Sequence, residues 1–240
     1  MSERFTYGDD PLHYVDLHRA VGTVRGTVIL IHGGFWRWNP DFFNGPTPAA
    51  ELLATMGWNI WQIEYRSVGS GGGWPTTLED VAAAIDRLAD VPEIELGRVI
   101  TVGHSAGGHL AVWALGHTGP VTLSGGISLA GALDLRLAER EGIGNDAAVN
   151  FLGGTSAEFP DRYDSASPSE HPVAHIPVRI VHGTEDTVVP MSQSSSYAAA
   201  AKKAGQNVQL QRVSGDHGVL INPQTDAWAA TLAAIIDLTS

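Results

Sequence analysis

The fold of this chain is decided by the stretch Val99-Ile-Thr-Val-Gly-His-Ser-Ala-Gly-Gly-His-Leu-Ala111. It starts with an apolar run rich in β-branched residues, typical of a strand, and continues from Gly108 with a run that favours a helix. The turn between them has the pattern Gly-x-Ser-x-Gly, with Ser105 at its centre. Such a turn is so tight that the positions beside the serine favour glycine, which has no Cβ atom. The pattern predicts that the Ser105 hydroxyl is presented at the edge of a sheet.

Strands and helices alternate along most of the remaining chain. The apolar and alternating runs predict strands at 12–17, 27–32, 58–65, 99–102, 126–130, 178–182 and 208–213, the first of them a half-buried edge strand. Helices are predicted at 48–56, 77–89, 108–115, 194–203 and 226–238, the second with Thr77 and Asp80 as a capping pair. This order predicts one mostly parallel, doubly wound sheet with helices on both faces.

The segment 134–175 interrupts this alternation, since glycine, asparagine, proline and aspartate are frequent in it. Long irregular stretches inside compact domains are often functional loops. We therefore expect a cap or lid that shapes a pocket. No repeat or linker marks a second domain, so residues 1–240 are expected to form a single domain.

Composition narrows the classes of function. The chain has 240 residues, 43% of them hydrophobic, and carries 26 acidic against 14 basic residues, a formal net charge of -12. An acidic surface disfavours nucleic acid and anionic membranes as partners. The absence of cysteine excludes disulfides and thiolate chemistry. The polar start lacks the apolar segment of a secretory signal, and no apolar run reaches the roughly 18 residues of a membrane span. A cytoplasmic location is the expectation.

A nucleophilic serine needs a base, and the base needs an orienting acid. Asp186, in the stretch His182-Gly-Thr-Glu-Asp-Thr-Val-Val-Pro190, follows a buried strand and is the candidate acid. Glu185 beside it and Asp134, after an earlier strand, are rival acids.

His217 follows the last strand and is the candidate base, because the Gly-x-Ser-x-Gly turn is followed in chain order by an acid and then by a histidine. Four other histidines near strand ends or the turn are expected to be structural: His32, His104, His109 and His182. The histidines lack the spacing of a zinc motif, so neither a metal nor another cofactor is expected.

The predicted strand at 27–32 leads into His32-Gly-Gly-Phe-Trp36, where a backbone N–H can act as an oxyanion donor. Gly34 or Phe35, together with Ala106, are the candidate donors. Three tryptophans in the predicted loops are candidates for the substrate pocket: Trp36, Trp38 and Trp74.

With these motifs in this order, the chain resembles the α/β-hydrolase superfamily over nearly its whole length. The His-Gly-Gly-Phe-Trp motif and the turn around Ser105 are most similar to the esterase and kynurenine formamidase (arylformamidase) branch. The segment 182–190 is also similar to prolyl-oligopeptidase-like and dienelactone-hydrolase-like members. The resemblance implies the α/β-hydrolase fold and a catalytic triad of Ser105, Asp186 and His217.

The resulting hypothesis is a serine hydrolase that acts on a carboxylic ester or a small aryl amide through an acyl-enzyme intermediate. One alternative is hydrolysis of N-formylkynurenine. Another is a non-catalytic ligand-binding protein on a hydrolase scaffold. The expected partner is a small-molecule ester or amide, and the sequence is compatible with a homodimer.

Overall fold

A computed structural model describes residues 2–39 and 47–240 of the chain. Within these residues, eight strands form one sheet in the spatial order β1–β2–β4–β3–β5–β6–β7–β8. The strands are β1 (Glu3–Thr6), β2 (Tyr14–His18), β3 (Gly26–Ile31), β4 (Trp58–Ile63), β5 (Val99–His104), β6 (Leu123–Leu129), β7 (Val178–Gly183) and β8 (Val208–Val213). Strand β2 runs antiparallel to β1 and β4, and the strands from β4 to β8 are mutually parallel. The mostly parallel sheet is confirmed, and the architecture is the α/β-hydrolase fold.

Helices cover both faces of this sheet. They are α1 (Pro48–Thr55), α2 (Thr76–Asp86), α3 (Ala106–Trp113), α4 (Leu135–Arg140), α5 (Ala147–Leu152), α6 (Pro160–Ala166), α7 (Met191–Lys203) and α8 (Trp228–Thr239). Short 3-10 helices lie at Arg87–Asp90, Ala114–Gly116 and Val219–Ile221. One apolar core contains α2 to α7, and a smaller core on the opposite face contains α1 and α8. None of the described helices is long and apolar enough to cross a membrane.

The expected edge position of the strand at 12–17 is wrong. Strand β2 is paired on both sides, and the edge is formed by β1, whose Arg4 donates two 2.8 Å hydrogen bonds to Asp16. The alternation has another cause. Val15 and Leu17 enter the larger core, whereas Tyr14 and Asp16 point to a cavity on the other face.

Helix α2 starts close to the predicted residue but without the predicted capping pair. Its N-cap position is Pro75, and no side chain caps it. The Thr77 hydroxyl donates to the Arg66 carbonyl oxygen at 2.6 Å, and Asp80 accepts hydrogen bonds from the Arg66 guanidinium. Both side chains therefore hold the preceding loop instead of the first helical turn.

The segment 134–175 contains the three short helices α4, α5 and α6 and is not an irregular loop throughout. Its apolar side chains, among them Phe151 and Tyr163, are buried in the larger core. Turns at positions such as Gly144 and Gly153 separate helices of only six or seven residues, which are too short to show a clear period in the sequence.

Candidate active site

The turn between β5 and α3 has the geometry that the sequence predicted. Ser105 has φ 58° and ψ -125°, a conformation that non-glycine residues rarely adopt. Its amide donates to the Leu129 carbonyl oxygen at 2.9 Å, which fixes the turn to β6. A Cβ atom on Gly107 would overlap the carbonyl oxygen of Ile31, so only glycine allows the turn to pack this closely on β3.

His217 and Asp186 meet at the carboxyl edge of the sheet, in the loops after β8 and β7. Nδ1 of His217 lies 2.6 Å from Oδ2 of Asp186. The other carboxylate oxygen accepts hydrogen bonds from the amides of Val188 at 2.8 Å and Val189 at 2.9 Å. The Asp186 side chain is 1% exposed and that of His217 is 15% exposed. The loop therefore holds the acid rigidly and leaves the histidine ring in contact with the cavity.

The electrostatics of Asp186 favour its ionised form. Burial alone would raise the pKa of this carboxyl. Hydrogen bonds from His182, from His217 and from the Val189 amide outweigh burial and hold the pKa below its usual range. Asp186 is therefore a permanent negative charge beside the His217 ring.

The two rival acids have other partners. The carboxylate of Glu185 accepts a hydrogen bond from the Ser214 hydroxyl. Asp134 caps α4 by accepting from the Leu137 amide at 2.9 Å, and it also accepts from the Ser196 hydroxyl. Among the three acids, the structure brings only Asp186 to His217.

Two histidines that the sequence analysis treated as structural contact this pair. His104 Nε2 donates to the His217 carbonyl oxygen at 2.7 Å, and the two rings lie 4.4 Å apart. Burial lowers the pKa of His104 to about 4, so its ring is neutral near pH 7. On the other side, His182 Nε2 lies 3.3 Å from Asp186 Oδ2. Both rings lie at the ends of strands at the carboxyl edge. This position was the only feature of the sequence that could have indicated their contact with the His217–Asp186 pair.

The loop after β3 lies directly against the turn around Ser105. A Cβ atom on Gly33 would come within 2.9 Å of the Ser105 Cβ. Phe35 adopts φ 57°, a strained left-handed conformation that turns the backbone sharply after Gly34. Among the described residues, the amides of Gly34, Phe35 and Ala106 donate to no protein acceptor. These are the three amides that the sequence analysis named as oxyanion donors.

A cavity of about 510 Å³ opens beside Ser105. Ser105, His217 and His104 line it at the carboxyl edge of the sheet, and Gly34 and Phe35 line it from the loop after β3. It continues over the sheet face beneath α1 and α8, where further lining residues include Leu30, Leu53, Val102, Leu129, Trp228 and Ile235.

The three tryptophans predicted to form the pocket lie elsewhere, and no residue of 134–175 lines the cavity. Trp36 is buried in the larger core, where its Nε1 donates to His109 at 3.1 Å and its ring stacks on Phe151. Trp38 is partly exposed, and Trp74 lies under the Arg162 guanidinium. Trp36 serves core packing instead, because its ring fills the space between the sheet and α5.

A metal site is not evident in this part of the molecule. Within residues 2–39 and 47–240, no group of three or more His, Asp and Glu side chains is arranged to hold a metal ion.

Comparison with known proteins gives a consistent family. The esterase LipC of Mycobacterium tuberculosis is 27% identical over 218 residues, which cover 81% of this chain and 53% of LipC. A kynurenine formamidase of Meyerozyma guilliermondii is 34% identical over 117 residues, covering 48% of this chain and 43% of that protein. The chain spans about half to two thirds of the length of the first curated relatives it matches.

Solved structures agree on the fold. A truncated carbohydrate esterase from gut microbiota superposes with a TM-score of 0.83 at 21% identity, covering 100% of this chain and 96% of that one. The model of the family described as BD-FAE matches residues 17–200, well over half of the sequence. On that match, and with the α/β-hydrolase fold described above, the chain belongs to the BD-FAE family.

Proposed function

We propose that the chain is a serine carboxylesterase in which Ser105, His217 and Asp186 hydrolyse a small-molecule ester. The observation that carries this proposal is the 2.6 Å contact between His217 Nδ1 and Asp186 Oδ2, in the wall of the cavity that Ser105 also lines. The relatives LipC and LipQ, both named esterases, support an ester as the substrate class.

The roles follow from the contacts. Asp186 holds the Nδ1–H tautomer of His217, so Nε2 is the base that takes the Ser105 proton. The serine oxygen attacks the ester carbonyl, and His217 then gives its proton to the departing alcohol. An acyl group remains bonded to Ser105. Water, activated by the same histidine, attacks this acyl group and releases the acid.

The negative charge that develops on the carbonyl oxygen is stabilised by backbone amides. Ala106 follows the nucleophile directly, and Gly34 or Phe35 supplies the second N–H from the opposite loop. Loss of one such donor in a well-studied protease costs about 3 kcal/mol of transition-state stabilisation. The donors on this chain are backbone groups, so the strained Phe35 conformation sets their direction.

The test is the hydrolysis of p-nitrophenyl acetate by the wild-type protein and by Ser105→Ala. We expect a loss of at least about 10³-fold in kcat, because the nucleophile is removed. Ser165→Ala, which alters an exposed serine on α6, is the matched control and is expected to keep the wild-type rate. A Ser105→Ala protein with the parent rate would refute the assignment.

A fluorophosphonate probe separates an enzyme from a ligand-binding protein on the same scaffold. Labelling of the wild type, absent in Ser105→Ala, is expected for an activated serine. A folded wild-type protein that takes no label and turns over no ester would support the binding protein instead.

Hydrolysis of N-formylkynurenine is a second candidate, favoured by the 34% identity to a kynurenine formamidase over about half of the chain. A formyl group is only a hydrogen atom beyond the carbonyl carbon, so it needs no space for an acyl chain. The formamidase function predicts a higher kcat/KM for N-formylkynurenine than for p-nitrophenyl acetate. No measurable turnover of the formamide would exclude it.

A further inference from the structure

The strand order separates the two sides of the cavity. His217 follows β8, on one side of the β5 strand that carries Ser105, whereas β3, β4 and β2 lie on the other side. A departing alcohol must be near His217 to receive its proton. If the proposed function holds, the acyl part of the ester therefore points the other way, over β3 and β4.

The floor of the cavity on that side changes from apolar to polar. Val102 on β5 pairs with Leu30 on β3, Leu30 with Gln62 on β4, and Gln62 with Asp16 on β2. All four residues line the cavity. Neighbouring strands are about 4.8 Å apart, so this row extends about 14 Å from the strand of the nucleophile. The cavity there is much longer than an acetyl group.

Glu64, which follows β4, also lines this part of the cavity and is only 4% exposed. Its Oε1 accepts a hydrogen bond from the Tyr65 amide at 2.9 Å and lies 3.0 Å from His32 Nε2. Its Oε2 accepts no hydrogen bond from any described residue. A carboxylate oxygen without a protein donor at the wall of a cavity can accept a hydrogen bond from a bound ligand.

The other carboxylate in this region is already neutralised. Asp16 forms two 2.8 Å hydrogen bonds with the Arg4 guanidinium. Among the carboxylate oxygens of the described residues in this region, Glu64 Oε2 is therefore the one without a protein donor. Opposite the polar floor, α1 contributes the apolar side chains of Ala49 and Leu53, which suit a chain of methylene groups.

We propose that this side of the cavity, the acyl arm formed by Leu30, Gln62, Glu64, Asp16 and Leu53, binds a medium-length acyl chain that carries a hydroxyl group. Glu64 Oε2 accepts the hydrogen bond from that hydroxyl. Two strand spacings, about 10 Å, separate β5 from β4, close to the length of an extended acyl chain of about eight carbons. The preferred substrates are esters of hydroxylated acids. This proposal rests on the proposed function of Ser105.

The experiment compares p-nitrophenyl esters of octanoic, 8-hydroxyoctanoic and 8-methoxyoctanoic acid on the wild-type protein. A hydroxyl can donate to Glu64, whereas a methoxy group can only accept. We expect kcat/KM to be about tenfold higher for the hydroxy ester than for the methoxy ester, as for a hydrogen bond to a charged group. Equal values for the two esters, in a protein that hydrolyses p-nitrophenyl acetate, would overturn the acyl arm alone. No turnover of any ester would overturn the proposed function with it.

Glu64→Gln tests the residue itself. The Tyr65 amide requires an oxygen at the Oε1 position, so the new NH₂ group takes the place of Oε2 and can donate to the methoxy oxygen. The hydroxy-to-methoxy ratio is expected to fall to within about twofold of one. Each variant is normalised to its own rate on p-nitrophenyl acetate, which is too short to reach Glu64.

Glu51→Gln, at an exposed position on α1, is the matched control and should keep the wild-type ratio. A Glu64→Gln protein that keeps the wild-type ratio would contradict the role of this carboxylate. An 8-aminooctanoate ester preferred over the hydroxy ester would overturn the assignment of a hydroxyl.

Discussion

At the scale of single residues, the His217–Asp186 pair is held from both sides by other histidines. Nδ1 of His182 accepts a hydrogen bond from the Ser194 hydroxyl at 2.6 Å. Its Nε2 lies near Asp186 and the Val189 carbonyl oxygen. The acceptors around Nε2 require the proton there, so His182 donates to the acid. His104 contacts His217 instead, by donating to its backbone carbonyl oxygen. Both rings contact the pair itself, His182 through the Asp186 carboxylate and His104 through the His217 backbone, and we therefore infer that they are positioning residues.

The role of His104 can be tested with two variants, one that removes the hydrogen-bond donor and one that restores it. A glutamine side chain can place its amide N–H near the position of His104 Nε2, whereas leucine fills the space without a donor. We expect His104→Leu to lower kcat on p-nitrophenyl acetate about tenfold with little change in KM, because a misplaced base affects the transition state. His104→Gln should stay within about threefold of the wild type. Similar kcat values for the two variants would show that the hydrogen bond to His217 is not needed.

At the scale of elements, the strand–turn–helix around Ser105 depends on how closely α3 approaches β3. Gly107 lies in the first turn of α3, where an added Cβ atom would overlap the carbonyl oxygens of Ile31 and His32. These oxygens belong to the backbone and cannot rotate away. The strained Ser105 backbone is therefore kept in place by packing on both sides of the turn.

Gly107→Ala is expected to lower the free energy of unfolding by about 3 kcal/mol or more, because a backbone overlap forces the helix away from the sheet. The measurement is urea unfolding followed by circular dichroism. Gly116→Ala is the matched control, since a Cβ atom there meets nothing within 4 Å. Equal stability of the two variants would mean that the turn has room to adjust.

At the scale of the whole molecule, burial of neutral histidines makes the fold sensitive to acid. His109 is fully buried, and burial lowers its pKa to about 4. In the unfolded chain the same ring takes a proton near pH 6.5. The unfolded state therefore binds more protons between these values, and stability falls as the pH drops from about 6.5 to 4.

A variant without the His109 ring should lose less stability as the pH falls. We expect the wild-type free energy of unfolding to fall by about 3 kcal/mol more than that of His109→Gln between about pH 7.5 and 4. Protonation of His104 lowers the stability of both proteins in the same way, and protonation of Asp186 affects their stability mainly below about pH 4. Stability curves that run parallel for the two proteins over this range would contradict the prediction.

Much of the site could be read from the sequence because chain order and position relative to strands are local properties. Ser105, Asp186 and His217 each follow an apolar run, and parallel strands bring such positions to one edge. The tryptophans predicted for the pocket do not line the cavity beside Ser105, because tryptophan suits both a core and a cavity wall and the sequence does not separate the two. Whether Trp36 packs against His109 and Phe151 depends on residues more than 70 positions away along the chain.

The sequence by itself determined the α/β-hydrolase fold and the turn at Ser105, since glycine spacing and hydrophobic periodicity act through local sterics and burial. Only the tertiary structure shows which of Asp186, Glu185 and Asp134 contacts His217, because each carboxylate has different hydrogen-bond partners after folding. It also decided that Glu64 lines the cavity. That position depends on the register of β2, β3 and β4 across the sheet. The sequence of one strand does not specify which strands pair with it.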